Sequence, residues 1–290
     1  MEKSSFGELF SRACLRAKDL KLSGFLLLET LVAFAAALPL MAVLGGGVLH
    51  WIDRWSRREP TAELPAFLWQ LALQLAALAA AFLIYAWVLR MLQVGLLRET
   101  LYPATDIRRG FRSGFSRWKT VLYPLPWLLA VGMVLCWQTV MGRLLPPLGM
   151  ASAGAGSLLQ IVAGIYTTFL FCGVAAGSPR QKFAGLYRNA FTAFKNGWGR
   201  WLVMYLCSLG LILSTVASAL PPAFGVFVGI RENRPLALWV GIGGLALWAA
   251  VMFAVWLLAM VVFKAFAMYL YLDAAGVAPE PDDERKDPGI

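Results

Sequence analysis

Three ionisable side chains lie at the edges of long apolar segments, where a charge could bind a solute or carry a proton. Glu29 lies just inside the first apolar segment, and Arg90 and Lys264 follow the ends of two others. A charge within a membrane is costly and marks either a functional site or a pair of opposite charges. Glu29, Arg90 and Lys264 therefore form a candidate polar site. The alternative is that Glu29 pairs with Arg90 or Lys264 for structural reasons, with the long basic chains reaching towards water.

Other catalytic chemistry has little support in the sequence. There is no Walker A loop, HExxH or GxSxG motif, and no GxGxxG that follows a strand. The single histidine, His50, cannot form a metal site without thiolate or carboxylate neighbours. The four cysteines, at positions 14, 136, 172 and 207, form no CxxC pair. We therefore expect no enzyme, no metal site and no cofactor.

The apolar segments have the length of membrane spans. Hydrophobic residues make up 60% of the 290 residues and charged residues 14%, against about 45–50% and about 25% in soluble domains. A bilayer is crossed by about 20 apolar residues in a helix. The predicted spans are 24–50, 65–89, 121–145, 152–177, 202–229 and 236–262. The predicted fold class is all-α, a polytopic protein with six transmembrane helices arranged as three helical hairpins.

The basic residues are distributed unevenly between the two sides of these spans. Twenty of the 26 Lys and Arg residues lie in segments 1–23, 90–119, 178–200 and 264–290, which six spans place on one side. Because positive charge stays inside, both termini are predicted to be cytoplasmic. Residues 1–277 form the predicted single membrane domain, and the polar, proline-containing segment 278–290 is predicted to be a disordered cytoplasmic tail.

Two basic segments rich in aromatic residues, 108–119 and 187–201, precede the third and fifth spans. At 100° per residue their aromatic side chains form one stripe each, and the first stripe continues to Leu122 just beyond its segment. The members are Phe111, Phe115, Trp118 and Leu122, then Tyr187, Phe191, Phe194, Trp198 and Trp201. Cations flank the stripes at Arg108, Arg109, Arg112, Lys119, Arg188 and Lys195. This pattern is typical of amphipathic helices in the membrane interface, and it predicts contact with anionic lipid on the cytoplasmic face. Alternatively, the stripes pack on the apolar helix extensions 91–102 and 265–276.

Nucleic acid is the weaker interpretation of these basic segments, because the adjoining spans hold them at the membrane. Protein partners are not indicated by any pattern in the chain. Within the fourth span, Gly173 and Gly177 form a GxxxG spacing, which predicts close helix packing.

The chain also contains signs of an internal repeat. Segments 6–12 and 111–117 share the pattern F-x-x-x-F-S-R, and Phe191 and Trp198 follow Phe111 and Trp118 at a constant offset. Three units of amphipathic helix, outward span and returning span would account for six spans. Composition at the membrane interface could imitate such a repeat.

Six spans, cytoplasmic termini and amphipathic aromatic segments resemble a loose group of bacterial inner-membrane proteins. The group includes the YciC-like proteins and the membrane domain attached to some glycerophosphodiester phosphodiesterases. The resemblance implies a multi-pass protein of the bacterial cytoplasmic membrane, and it supplies no catalytic residues. The expected function is to bind or move a lipid-like amphiphile, or to support a membrane complex, without catalysis. The alternative is a small-solute secondary transporter with its polar site in the cytoplasmic half of the bundle.

Overall fold

The computed structural model describes residues 4–35, 64–144 and 146–279, and all its regular elements there are helical. The helices are α1 (Phe6–Ala17), α2 (described over 20–35), α3 (Leu64–Glu99), α4 (Ile107–Ser116), α5 (Leu125–Leu144), α6 (Pro146–Ala176), α7 (Phe183–Arg231) and α8 (Pro235–Ala275), with a 3₁₀ turn at Thr120–Leu122. The second half of the predicted first span (36–50), His50 and most of the predicted tail (280–290) lie outside the described residues.

Five helices within the described ranges are long and apolar enough to cross a membrane. The apolar segments are Ala80–Glu99 of α3, Thr120–Thr139 across the 3₁₀ turn and α5, Gly156–Ala176 of α6, and the helices α7 and α8. Each overlaps one of the second to sixth predicted spans, and the first lies further along the chain than predicted. A helix that crosses a bilayer must be long enough to reach both sides and apolar enough to lie in hydrocarbon. The chain is therefore an all-α protein with the helices of a membrane protein.

The buried core lies at one end of the helix bundle. The larger cluster of buried apolar side chains draws on α1, the first part of α7, and the ends of α3, α6 and α8. The smaller cluster draws on α1, the first turns of α2, α3 and α8. We call this end the collar; it comprises α1 and residues 90–121, 169–176, 183–201 and 261–275. The extensions of α3 and α8 are buried in it, which is the packing expected for segments too apolar to be solvated loops.

Helix α4 lies directly on α3 because three glycines allow the backbones to approach. A Cβ added at Gly114 would overlap the carbonyl of Met91, and one at Gly95 would overlap the carbonyl of Gly110. The helix begins at an N-cap, where the Asp106 carboxylate accepts a hydrogen bond from the backbone of Arg108 at 3.0 Å. Glycine weakens an isolated helix, so this packing is what holds α4 in place.

The other two collar helices are docked in a comparable way. The first part of α7 packs on α8, where Gly197 faces Leu270 and Ala274. Helix α1 begins with a capping box between Ser5 and Glu8. It then packs on α8.

Helix α7 differs from the sequence prediction. The predicted interfacial segment 187–201 and the predicted fifth span form one continuous helix of 49 residues. The chain has two Leu-Pro-Pro sequences, at 145–147 and 220–222. Pro221 and Pro222 of the second lie inside α7, whereas Pro146 of the first begins α6. Past the collar, α7 and α8 run side by side to a turn at Asn233, whose φ of 50° is left-handed, a conformation that asparagine tolerates. These outer parts expose large apolar side chains, such as Leu247 at 69%.

Candidate functional site

Exposed aromatic and basic side chains occur together on α4, on the short segment that follows it and on the first part of α7. We call this surface the rim. Its exposed apolar members are Phe115, Trp118, Leu122, Phe183, Phe191 and Trp198. All six predicted lipid-contacting cations are exposed beside them: Arg108, Arg109, Arg112, Lys119, Arg188 and Lys195. Phe191 is 60% and Trp198 53% exposed, which is unusual for side chains that normally dominate cores.

The predicted stripes are divided between the rim and the collar core. Phe111 packs on Phe25 with ring centroids 4.9 Å apart, and Trp201 is buried. Phe115, Phe191 and Trp198 remain exposed. Some members of each stripe therefore pack inside the collar and others remain exposed, and lipid contact by the exposed members stays a prediction.

The buried residues of segment 110–121 and of the first part of α7 occupy equivalent positions along the chain. Four buried pairs are separated by the offset that relates Phe111 to Phe191: Gly110 and Ala190, Ser113 and Ala193, Arg117 and Gly197, Val121 and Trp201. The predicted motif match to α1 does not extend to burial, since Arg12 is exposed and its counterpart Arg117 is buried.

Two rim cations have local partners that leave them accessible. Arg109 lies 3.4 Å from the Asp106 carboxylate at the start of α4, and both side chains are largely exposed. Lys119 stacks over the Trp118 ring at 5.0 Å. Exposed pairs of this kind contribute little to stability, so these cations are free to engage an outside anion.

The candidate polar site lies where α2, α3 and α8 meet. The Lys264 ammonium donates to Glu29 Oε2 at 2.7 Å, and the two side chains are 14% and 7% exposed. The structure thus brings Glu29 to one of its two expected partners. A nearly buried carboxylate and ammonium stabilise one another once both have lost water.

Arg90 lies close to this ion pair without joining it. Its guanidinium donates to the neutral Gln93 and stacks over the Phe171 ring, 4.9 Å from the centroid. Glu29 is the carboxylate that acts on Arg90 electrostatically among the described residues. Glu29, Arg90 and Lys264 therefore lie together at the level where the collar meets the spans.

Three buried arginines form a feature of the collar that the sequence analysis treated only as topology signals. Arg16, Arg98 and Arg117 are among the least exposed polar residues of the described chain. Arg16 donates to the carbonyls of Glu99 and Thr100 at the end of α3. Arg98 donates to Ala175 and Arg117 to Gly177, both at the end of α6.

The position of these guanidinium groups has a plain electrostatic reason. The last turn of a helix leaves carbonyls without intrahelical partners and carries partial negative charge. A buried helix end needs donors, and the arginine fork supplies several at once. The end of α8 is capped by a similar contact, since the Asn196 amide donates to Ala274 at 3.0 Å. A sequence signal for these contacts exists only as arginine placed next to predicted helix ends.

Asp19 links α1 to the loop that follows α3. Its carboxylate accepts hydrogen bonds from Arg16 at 2.9 Å and from the Thr105 hydroxyl at 2.6 Å. Partial burial by itself raises the pKa of this carboxyl. The hydrogen bonds from Thr105, from the Lys21 backbone and from Arg16 outweigh burial and lower the pKa below its usual 3.8. Asp19 is therefore ionised near neutral pH and orients Arg16.

The two glycines of the predicted packing face have different surroundings. Gly173 faces Leu186 of α7 and the Tyr271 hydroxyl of α8. Gly177 lies beyond the end of α6, where a Cβ would overlap Gln181 of the following loop. Gly177 is thus not part of a helix–helix face, because the helix ends before it.

No group of three or more His, Cys, Asp or Glu side chains in the described ranges could hold a metal ion. The four cysteines are free, and Cys172 is fully buried. Comparisons with protein families, with curated proteins and with solved structures find no match for this chain.

Proposed function

We propose that this chain is an integral membrane protein that binds an anionic lipid-like amphiphile at the rim, or supports a membrane complex through that surface, without catalysing a reaction. The observation that carries the proposal is the exposure of aromatic side chains beside exposed cations on both α4 and α7. Aromatic rings favour the headgroup level of a bilayer, and cations beside them favour lipid phosphate.

The proposed setting is a bacterial inner membrane that the chain crosses six times, with both termini and the rim on the cytoplasmic side. The structure supports an even number of crossings, because α1 and the ends of α3, α6 and α8 contribute to one core. Helix α2 begins at the collar and α3 ends at the collar. The proposal therefore has one outward and one returning crossing between residues 20 and 99. The excess of Lys and Arg on the collar side favours the cytoplasmic assignment.

A threefold repeat is part of the same proposal. Helix α4 packs on α3, α7 packs on α6, and α1 packs on α8. Each amphipathic segment thus contacts the returning helix of the unit before it, and α1 closes the series on the last unit. The matching burial of α4 and α7 supports their equivalence, whereas the register of α1 does not follow the F-x-x-x-F-S-R alignment.

Retention of anionic lipid by the purified protein tests the rim. In one variant Arg108, Arg109 and Arg112 are changed to Gln. In a second, Arg188 and Lys195 are changed to Gln. Each cation near an anionic surface contributes about 1 kcal/mol, so the triple variant should lose about 3 kcal/mol, roughly a hundredfold in affinity for phosphatidylglycerol.

The matched control for the double variant changes Arg231 and Arg234 to Gln at the α7–α8 turn, far along the helices from the collar. This control should retain lipid as the unmodified protein does. If the rim variants fold and orient correctly and still retain phosphatidylglycerol unchanged, the arginines act only as topology signals and the proposed function is wrong.

A small-solute transporter is the second candidate, and the buried Glu29–Lys264 ion pair with Arg90 nearby favours it. A nearly buried ion pair at the edge of the spans could bind a charged solute in place of one partner. Glu29→Gln in liposomes distinguishes the two functions. Loss of solute flux with folding and lipid retention intact would favour transport. Unchanged flux, or the absence of any flux in the unmodified protein, would leave the pair as a structural contact.

A further inference from the structure

A groove opens between α6, α7 and α8 on the side of the collar that faces the spans. Its cavity measures about 510 Å³, and the lining includes Gln160, Gly164 and Thr168 of α6, Trp201 and Tyr205 of α7, and Phe263 of α8. This volume falls within the usual range of about 300–1,000 Å³ for small-molecule sites. The groove is distinct from the rim, whose cations do not line it.

One side of the groove is polar although it belongs to an apolar helix. Ser157, Gln160, Gly164 and Thr168 recur at three- and four-residue intervals, so they share a face of α6. The Thr168 hydroxyl donates to the Gly164 carbonyl at 2.9 Å. The Gln160 amide has no hydrogen-bond partner among the described residues and is exposed. Hydrocarbon offers an amide no partner, and an unpaired amide there is costly.

The opposite side of the groove suits a hydrocarbon chain. Trp201 and Phe263 pack edge to face with ring centroids 4.7 Å apart. Aromatic walls of this kind bury apolar area without needing hydrogen bonds. The described lining contains no Asp, Glu, Lys, Arg or His. A phosphate placed in the groove would lose its hydration without gaining a counter-charge, which is strongly unfavourable.

We propose that this groove binds an amphiphile that joins an apolar chain to an uncharged hydrogen-bonding head, of the diacylglycerol type. The head accepts and donates at Gln160, and the chain lies against Phe263, on which the buried Trp201 ring packs. This site goes beyond the proposed rim function, because it selects an uncharged lipid where the rim selects an anionic one.

Binding of radiolabelled diacylglycerol to the purified full-length protein in micelles tests the groove. A Cβ at Gly164 meets nothing within 4 Å, so Gly164→Leu fills the groove without a backbone clash and should reduce binding by more than about tenfold. Gly210→Leu is the matched control: its Cβ also meets nothing within 4 Å, it lies outside the groove, and binding should be unchanged.

Gln160→Leu keeps the size of the side chain and removes its hydrogen bonds, and it should weaken binding about tenfold. Unlabelled diacylglycerol should displace the probe, and phosphatidylglycerol should not. Unchanged binding in Gly164→Leu or in Gln160→Leu would overturn the site, and equal displacement by phosphatidylglycerol would overturn the uncharged head. Changing Arg188 and Lys195 to Gln should leave diacylglycerol binding intact, so failure of the groove and failure of the rim are separate results.

Discussion

The collar and the outer parts of α7 and α8 are built from the same apolar residue types but are stabilised in different ways. In the collar, backbones touch through Gly95, Gly110 and Gly114, and buried arginines cap helix ends. The outer parts of α7 and α8 instead present large apolar side chains outward. Lipid tails are as apolar as leucine, so exposure costs little within a bilayer. The protein thus specifies the collar by internal contacts and leaves much of the spans to the membrane.

The largest expected effect contrasts a glycine in each region. Gly114→Leu should destabilise the folded protein by about 3 kcal/mol or more, because the side chain would meet the Met91 carbonyl. Gly132→Leu in α5 meets nothing within 4 Å, and its effect should stay within about 0.5 kcal/mol. Unfolding in detergent micelles measures both. Equal losses at the two sites would remove the contrast between collar and spans.

Replacing one buried and one exposed arginine by methionine tests the contrast between structural and surface residues within the collar itself. Arg117→Met should cost about 2–3 kcal/mol, because the Gly177 carbonyl and Ser113 lose charged donors in a buried place. Arg188→Met at the rim should cost less than about 0.5 kcal/mol. Unfolding in detergent micelles measures both changes in stability. A destabilisation that is as large for Arg188 as for Arg117 would show that the rim is also structural.

The ion pair at the boundary of the two regions should have an intermediate effect. Glu29→Gln leaves Lys264 nearly buried without a carboxylate and should destabilise the protein by about 2 kcal/mol, less than a fully buried pair because some exposure remains. The double change Glu29→Gln with Lys264→Met should recover most of that loss, since no unpaired charge is left. A double variant no more stable than Glu29→Gln would show that the charges are not coupled.

The smallest effect concerns Asp19 and appears only in acid. Its pKa is lower in the folded protein than its usual 3.8, so the unfolded chain binds the proton first as the pH falls. The stability that Asp19 contributes is complete above its unfolded pKa and is lost as the pH falls through the lower folded value. The stability gap between the unmodified protein and Asp19→Asn should therefore be constant near neutrality and shrink below about pH 4. A stability difference between the two proteins that grows as the pH falls would contradict this prediction.

The parts of the fold that follow from composition could be predicted from the sequence. Blocks of apolar residues identified five helices within the described ranges that are long and apolar enough to cross a membrane, and the apolar extensions 91–102 and 265–276 indicated the collar. Glu29 was predicted to lie near Arg90 or Lys264 because a charge within a membrane is costly without an opposite charge, and the structure pairs it with Lys264. These predictions need no structure, because the length of an apolar segment and the number of charges within it are read directly from the sequence.

The roles of individual arginines could not be predicted in the same way. Arg112 and Arg117 belong to the same basic, aromatic-rich segment, yet Arg112 is exposed at the rim and Arg117 is fully buried. The difference depends on which face of α4 meets α3, and glycine contacts decide that face. The continuity of α7 was missed because Gly197 and Gly199 weaken helix propensity, and packing on α8 overrides it. The groove was missed because its lining comes from three helices.

The central claim is that the rim lies in the headgroup layer of a bilayer, and a fluorescent probe at Phe191 tests it most directly. Phe191→Cys is made after Cys14, Cys136, Cys172 and Cys207 are changed to Ala, and the new thiol is labelled in vesicles that contain phosphatidylglycerol. Lipids that carry a nitroxide at the headgroup should quench the label, and aqueous iodide should quench it weakly. Strong quenching by iodide with no effect of the nitroxide lipid would contradict the account, because the rim would then face water.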